Sequence, residues 1–197
     1  MKPSQSFLEE ASKRVEPIYA QGFFFVSKSY IAYYLVFDYY DPLEYYRTIM
    51  NDEKLFNEEV GKLWANMQQF LDEETVKVNN VKVSPRVVMI DVGFRKSKKN
   101  PYIVFLIRFR APIKEGINVY ENIYQSEVVE YDYVAYWIFP PGSRILRVDF
   151  GSGQEEWDLV GENILVIYGW KGMKTGGYEL IEFEISKQVS KAGGEED

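Results

Sequence analysis

The stretch Val76 to Phe109, VKVNNVKVSPRVVMIDVGFRKSKKNPYIVFLIRF, decides the fold class. Its apolar residues recur with a period of two, the period of a strand that buries one face. Val76-Lys77-Val78 and Val81-Lys82-Val83 flank Asn79-Asn80, and asparagine tolerates the left-handed backbone of a two-residue hairpin turn. Val88, Ile90, Val92 and Phe94 then alternate with Met89, Asp91 and Gly93, and Ile103, Phe105, Ile107 and Phe109 repeat the pattern. These two strands are expected to pair, with residues 95–101 as their loop.

The same signal extends in both directions. Val15 to Val26 and Ser29 to Tyr40 are dense in aromatic and β-branched residues, and Ile31, Tyr33, Leu35 and Phe37 share a face of the second. Downstream, strands are expected at residues 116–124, 128–139, 144–150, 155–159, 163–168 and 178–185, separated by turn signals such as Pro140-Pro141-Gly142 and Gly176-Gly177. On residues 128–139, Val129, Tyr131, Tyr133, Ala135 and Trp137 form the core face.

One segment breaks the alternation. Asp41-Pro42-Leu43-Glu44 reads as a helix start with a capping box, and Asn51-Asp52 as a second start. From there Leu55, Phe56, Val60, Leu63, Trp64, Met67, Phe70 and Leu71 return every three or four residues, one stripe of an amphipathic helix. With roughly ten strands and one long helix there are too few helices for alternating βαβ units. The expected class is mainly β (α+β): an antiparallel β-sandwich with the helix inserted near residues 42–73 and covering one edge or face. The alternative is a single curved sheet wrapped on that helix.

The 197 residues suit one domain, expected over residues 15–186. Residues 1–14 read as a flexible arm or short helix, and residues 187–197, ending AGGEED, as a disordered tail. No secretory leader and no apolar run long enough to span a bilayer are read from the chain, so the location defaults to the cytoplasm. Richness in Tyr, Ile, Lys and Glu without thermolabile Cys suits a thermophile.

The chain has no Cys and no His. Disulfides, thiolate or imidazole metal sites, Cys nucleophiles and imidazole acid-base catalysis are thereby excluded. Gly-rich phosphate loops, Gly-x-Ser-x-Gly elbows and Asp-x-Asp motifs are also missing, so no cofactor, metal or catalytic residue is assigned. The remaining catalytic option is a carboxylate-dependent glycoside hydrolase, for which Asp91, Glu127, Glu130, Asp132 and Asp149 are the carboxylates on or next to expected strands.

Charge is uneven. Between Asp41 and Glu74 stand nine acids against three bases, whereas Arg95, Lys96, Lys98 and Lys99 concentrate positive charge on a hairpin tip. Nucleic acid is disfavoured as partner by the net charge of −7, although Arg108 and Arg110 extend the basic stripe. The 16 Tyr and 4 Trp exceed what a core of this size needs, and a tyrosine offers contact area with only two rotatable angles. Tyr39, Tyr40, Tyr45 and Tyr46 crowd the strand-to-helix junction. The function expected from these features is a non-enzymatic binding or assembly module, using those tyrosines together with Arg95, Lys96, Lys98 and Lys99 to bind a protein partner or a second copy. A small apolar ligand held between sheet and helix, against Trp64 and Met67, is the alternative.

Overall fold

The structure, a computed structural model, describes residues 4–186; the expected tail at 187–197 lies outside the described residues. In chain order the elements are α1 (Gln5–Ser12), β1 (Glu16–Val26), β2 (Tyr30–Tyr40), α2 (Tyr45–Ile49), α3 (Glu53–Glu73), β3 (Thr75–Val78), β4 (Val81–Val83), β5 (Arg86–Phe94) and β6 (Pro101–Arg110). There follow β7 (Gly116–Ile123), β8 (Asp132–Ile138), β9 (Ser143–Asp149), β10 (Glu156–Val160), β11 (Ile164–Gly169) and β12 (Tyr178–Ile185). The protein is mainly β and carries two sheets, a seven-stranded one in the order β10-β11-β8-β1-β2-β6-β5 and a five-stranded one in the order β4-β3-β7-β12-β9. Two sheets packed on one another, rather than one sheet around a helix, is thus the architecture.

Every strand pairing among the described residues is antiparallel except β1 with β8. That exception follows from the path of the chain. After β6 it crosses to the second sheet to form β7, then returns to the first sheet beside β1, a long connection that a parallel pair permits and a hairpin does not. The hairpin at Asn79-Asn80 has the expected left-handed turn, with φ of 52° and 65°.

The helical insertion is two helices. Asp52 caps α3 as expected, accepting from the amides of Lys54 and Leu55. The capping box at Asp41 does not form, because Glu44 is left-handed (φ 55°) and residues 42–44 make a turn instead. The fully buried Asp41 carboxylate accepts from the amides of Tyr45 and Tyr46, both at 2.9 Å, and so caps α2 directly. Asp41→Ala removes two charge-assisted bonds at a buried position and is expected to cost about 2 kcal/mol, read as a shift in a urea unfolding midpoint. The first helix, α1, is tied down through Ala11, which sits in the core.

Helix α3 guards an edge. Gln68 donates to the Pro85 carbonyl and accepts from the Val87 amide, and Arg86 pairs with Asp72 at 3.0 Å. The Gln68 side chain thereby occupies the Val87 amide of β5 and the carbonyl just before that strand, backbone groups at the start of an edge that would otherwise be open to pairing. Leu55, Phe56, Leu63 and Met67 pack against the core.

Between the sheets runs a chain of rings. Phe24 stacks on Tyr33 (4.6 Å) and on Trp137 (4.5 Å), Trp137 meets Tyr120 (4.6 Å) and Phe139, and Phe139 meets Phe183 of the second sheet (4.5 Å). Such pairs add about 0.5–1.5 kcal/mol each beyond the area they bury. They also fix which face of the seven-stranded sheet looks outward.

Candidate interaction face

Because side chains alternate across a strand, the residues between the core positions of the seven-stranded sheet all point away from the second sheet. The registers align them in rows. One row runs Asp158, Val166, Tyr136, Phe23, Tyr34, Leu106 and Met89 from β10 to β5. The next, toward the ends of β1 and β8, contains Val160, Ile164, Ile138 and Phe25. Phe23 stacks on Tyr136 (5.2 Å, 12°) and Phe25 meets Tyr34 edge-on (6.5 Å, 85°). None of Phe23, Phe25, Tyr34, Tyr136, Leu106 and Met89 belongs to the core or to the side chains packed on it. A sheet face with solvent on it normally alternates to polar residues; this one stays apolar through its centre.

At the β10–β11 edge this face ends in a cleft of about 450 Å³ lined by Glu155, Glu156, Trp157, Asp158, Tyr168 and Trp170. The rings of Tyr168 and Trp170 are nearly parallel (6.2 Å, 4°), and Trp157 and Trp170 are 42% and 49% exposed. Glu156 and Asp158 are exposed and enter no ion pair among the described residues. Aromatic faces beside unpaired carboxylates suit a cation.

The basic run lies at the opposite edge of the same sheet, in the loop between β5 and β6. Arg95 is committed locally, bonding Asp38 at 2.7 Å with its guanidinium 4.5 Å over the Tyr102 ring, and the Asp38 hydrogen bond holds it charged even more firmly. Lys98 lies 4.5 Å over the Phe94 ring. Lys96 and Lys99 are exposed and join no ion pair among the described residues.

The junction tyrosines divide. Tyr40 is exposed and Tyr39 is partly buried against the core, whereas Tyr45 and Tyr46 are buried, in contact edge to face at 5.3 Å. The Tyr45 hydroxyl donates to Glu59 at 2.9 Å, and burial, then the Glu59 charge, raises its phenol well above the usual range. Short α2 turns these two rings inward, so they serve the core and not a surface. Trp64 is exposed on α3, while Met67 packs inward.

A second cluster lies between the sheets, made of residues that sequence reasoning did not single out: Glu74, Glu155 and Glu179. Glu179 follows the inward phase of Ile181, Phe183 and Ile185 on β12 and accepts from the Trp137 indole at 3.0 Å. Burial raises its carboxyl to about 8; the Trp137 bond opposes this, and the charges of Glu74 and Glu155 add to it. Glu74 is also raised by burial, against the bond it receives from Asn122 at 3.1 Å. Glu155 accepts from the Tyr124 hydroxyl and from the Gly176 amide, both at 3.3 Å, while its Oε2 and the Asn122 Oδ1 are buried without a partner. The cluster is therefore rich in acceptors and poor in donors, and a proton on Glu179 relieves it. By contrast Asp91, Glu127, Glu130 and Asp132 are exposed, and Asp149 is bonded to the Gly151 amide and to Arg147 at 2.6 Å, which lower its carboxyl. No group of three or more Asp or Glu able to hold a metal ion occurs among the described residues, and no helix among them is long and apolar enough to cross a membrane.

No protein-family model matches the chain, and no curated protein matches it. Among solved structures it is similar to native yeast LTA4 hydrolase, with 12% sequence identity, a TM-score of 0.34, and coverage of 89% of this chain and 30% of that one. The same enzyme in complex with bestatin gives 10% identity and a TM-score of 0.33, over 93% of this chain and 33% of that one. The chain thus spans about a third of the length of the structures it matches, and at these scores the likeness carries no argument about activity.

Proposed function

We propose that the protein is a non-enzymatic binding and assembly module whose working surface is the outer face of the seven-stranded sheet. The observation that carries this reading is the unbroken apolar row from Tyr136 through Phe23, Tyr34 and Leu106 to Met89, on a face that the core and its packed side chains leave alone. Burying such a row against a partner gains about 25 cal/mol for each Å² of apolar surface removed from water. The charged features at its two edges supply direction, as charges around an apolar centre do at interfaces. Self-association is the form of assembly most open to test.

Tyr34 stands near the middle of this face, 38% exposed. Tyr34→Lys places a charge in the centre of the contact without touching the core. Sedimentation of the wild type is expected to show a concentration-dependent dimer, and the variant is expected to remain monomeric with an unchanged far-ultraviolet spectrum. A wild type and variant that sediment alike as monomers would contradict the reading.

A further inference from the structure

The direction of every strand in the large sheet follows from its pairings. β1, β8, β6 and β10 run one way, and β2, β5 and β11 run the other. The starts of β6 and β10 and the ends of β5 and β11 therefore lie at the same end of the sheet. The basic loop at residues 95–100 and the Trp170, Tyr168 and Glu156 side of the aromatic, acidic cleft consequently sit toward one end of the face, on opposite edges, with Asp158 one row further in.

A two-fold axis parallel to the strands exchanges the edges of a sheet and keeps its ends. We propose that a second copy of this chain docks outer face to outer face about such an axis, with Lys96 and Lys99 of each copy entering the Trp170, Tyr168, Glu156, Asp158 cleft of the other. The inference rests on the assembly reading above and names its partner.

Three features fit this occupant. First, the cleft offers stacked ring faces and two carboxylates without ion-pair partners, the chemistry that receives an ammonium. The only concentrated basic run of the chain stands where the axis delivers it, and both sites are satisfied twice by one symmetric contact. Second, two sheet faces of equal twist nest when their strands are nearly aligned. Third, seven strands about 4.8 Å apart and four rows about 7 Å apart, set by the outward positions Tyr19, Gln21, Phe23 and Phe25 of β1, offer roughly 600 Å² per copy. The resulting total of about 1,200 Å² reaches the lower bound for a specific interface. The arrangement also accounts for the division of labour in the loop, where Arg95 and Lys98 hold the loop to its own sheet through Asp38, Tyr102 and Phe94 while Lys96 and Lys99 are exposed and outside any ion pair among the described residues.

Charge exchange across the contact tests this directly. One variant carries Lys96→Glu and Lys99→Glu, the other Glu156→Lys and Asp158→Lys. Each alone opposes like charges at both sites of its homodimer and is expected to self-associate at least about tenfold more weakly than the wild type. Mixed one to one they present one native and one exchanged site, so the mixture is expected to recover the dimer, measured by light scattering at low salt. Dimers of both variants as strong as the wild type, or a mixture no stronger than its components, would overturn the cleft contact while leaving the apolar face as the assembly surface. A wild type that stays monomeric throughout would overturn both.

Discussion

Glu179→Gln is expected to raise the free energy of unfolding at pH 9 by about 3–5 kcal/mol and to leave it unchanged near pH 4, an effect of one proton held by the folded state. The Glu179 carboxyl is raised to about 8 in the fold, first by burial, from an ordinary value of 4.5. Between those two values the folded chain binds more protons than the unfolded chain, so stability falls as pH rises through the window. Below 4.5 the carboxyl is neutral in both states and nothing is lost. Glutamine keeps an acceptor for the Trp137 indole and cannot ionise, which removes the slope of about 1.4 kcal/mol per pH unit. Urea titrations of both proteins at pH 4, 6 and 9 measure this. Parallel stability profiles would show that Glu179 ionises in the fold as it does in water.

Trp137→Ala is expected to be the most damaging single change, costing about 3–5 kcal/mol from packing alone. The indole is 1% exposed and lies against Phe24, Tyr120 and Phe139. Its loss also leaves the Glu179 carboxyl without a donor, and because that bond lowers the Glu179 carboxyl, removal moves the pH window upward. Trp137→Phe separates the two contributions: it keeps most of the ring packing and removes the N–H, with an expected cost of about 1–2 kcal/mol. Equal losses for the two variants in thermal unfolding would show that the hydrogen bond, not the packing, dominates.

Much of the architecture was legible in local pattern. The period-two runs, the Asn79-Asn80 turn and the Asp52 cap are each dictated by neighbouring residues, and the structure places strands and α3 where those signals stand. The parallel pairing of β1 with β8 was not legible, since it depends on where the chain goes after changing sheets and not on either strand's own residues. The capping box failed for a related reason: whether Glu44 turns back to Asp41 or continues left-handed is settled by Tyr45 and Tyr46 seeking the core.

The site was less legible than the fold. Alternation distinguishes two faces of a strand but not which neighbours cover them, so the outward row of Phe23, Tyr34 and Tyr136 resembles core in sequence. Tyr45 and Tyr46 show the converse, a cluster that looks surplus yet fills a gap beneath α2. One signal was available for the carboxylate cluster. Glu179 shares parity with Ile181, Phe183 and Ile185, and a carboxylate at an inward position marks a shifted acid.

The absence of cysteine makes one introduced thiol a unique reporter of which face associates. Gln21→Cys places it in the outer face of the seven-stranded sheet, and Lys82→Cys places a control on β4 of the other sheet. The rate of maleimide labelling is measured for each variant as protein concentration rises. Slower labelling of the Gln21→Cys variant, with no change for the Lys82→Cys variant, is the result predicted by an assembly surface on the outer face. Labelling of both variants at concentration-independent rates would contradict it.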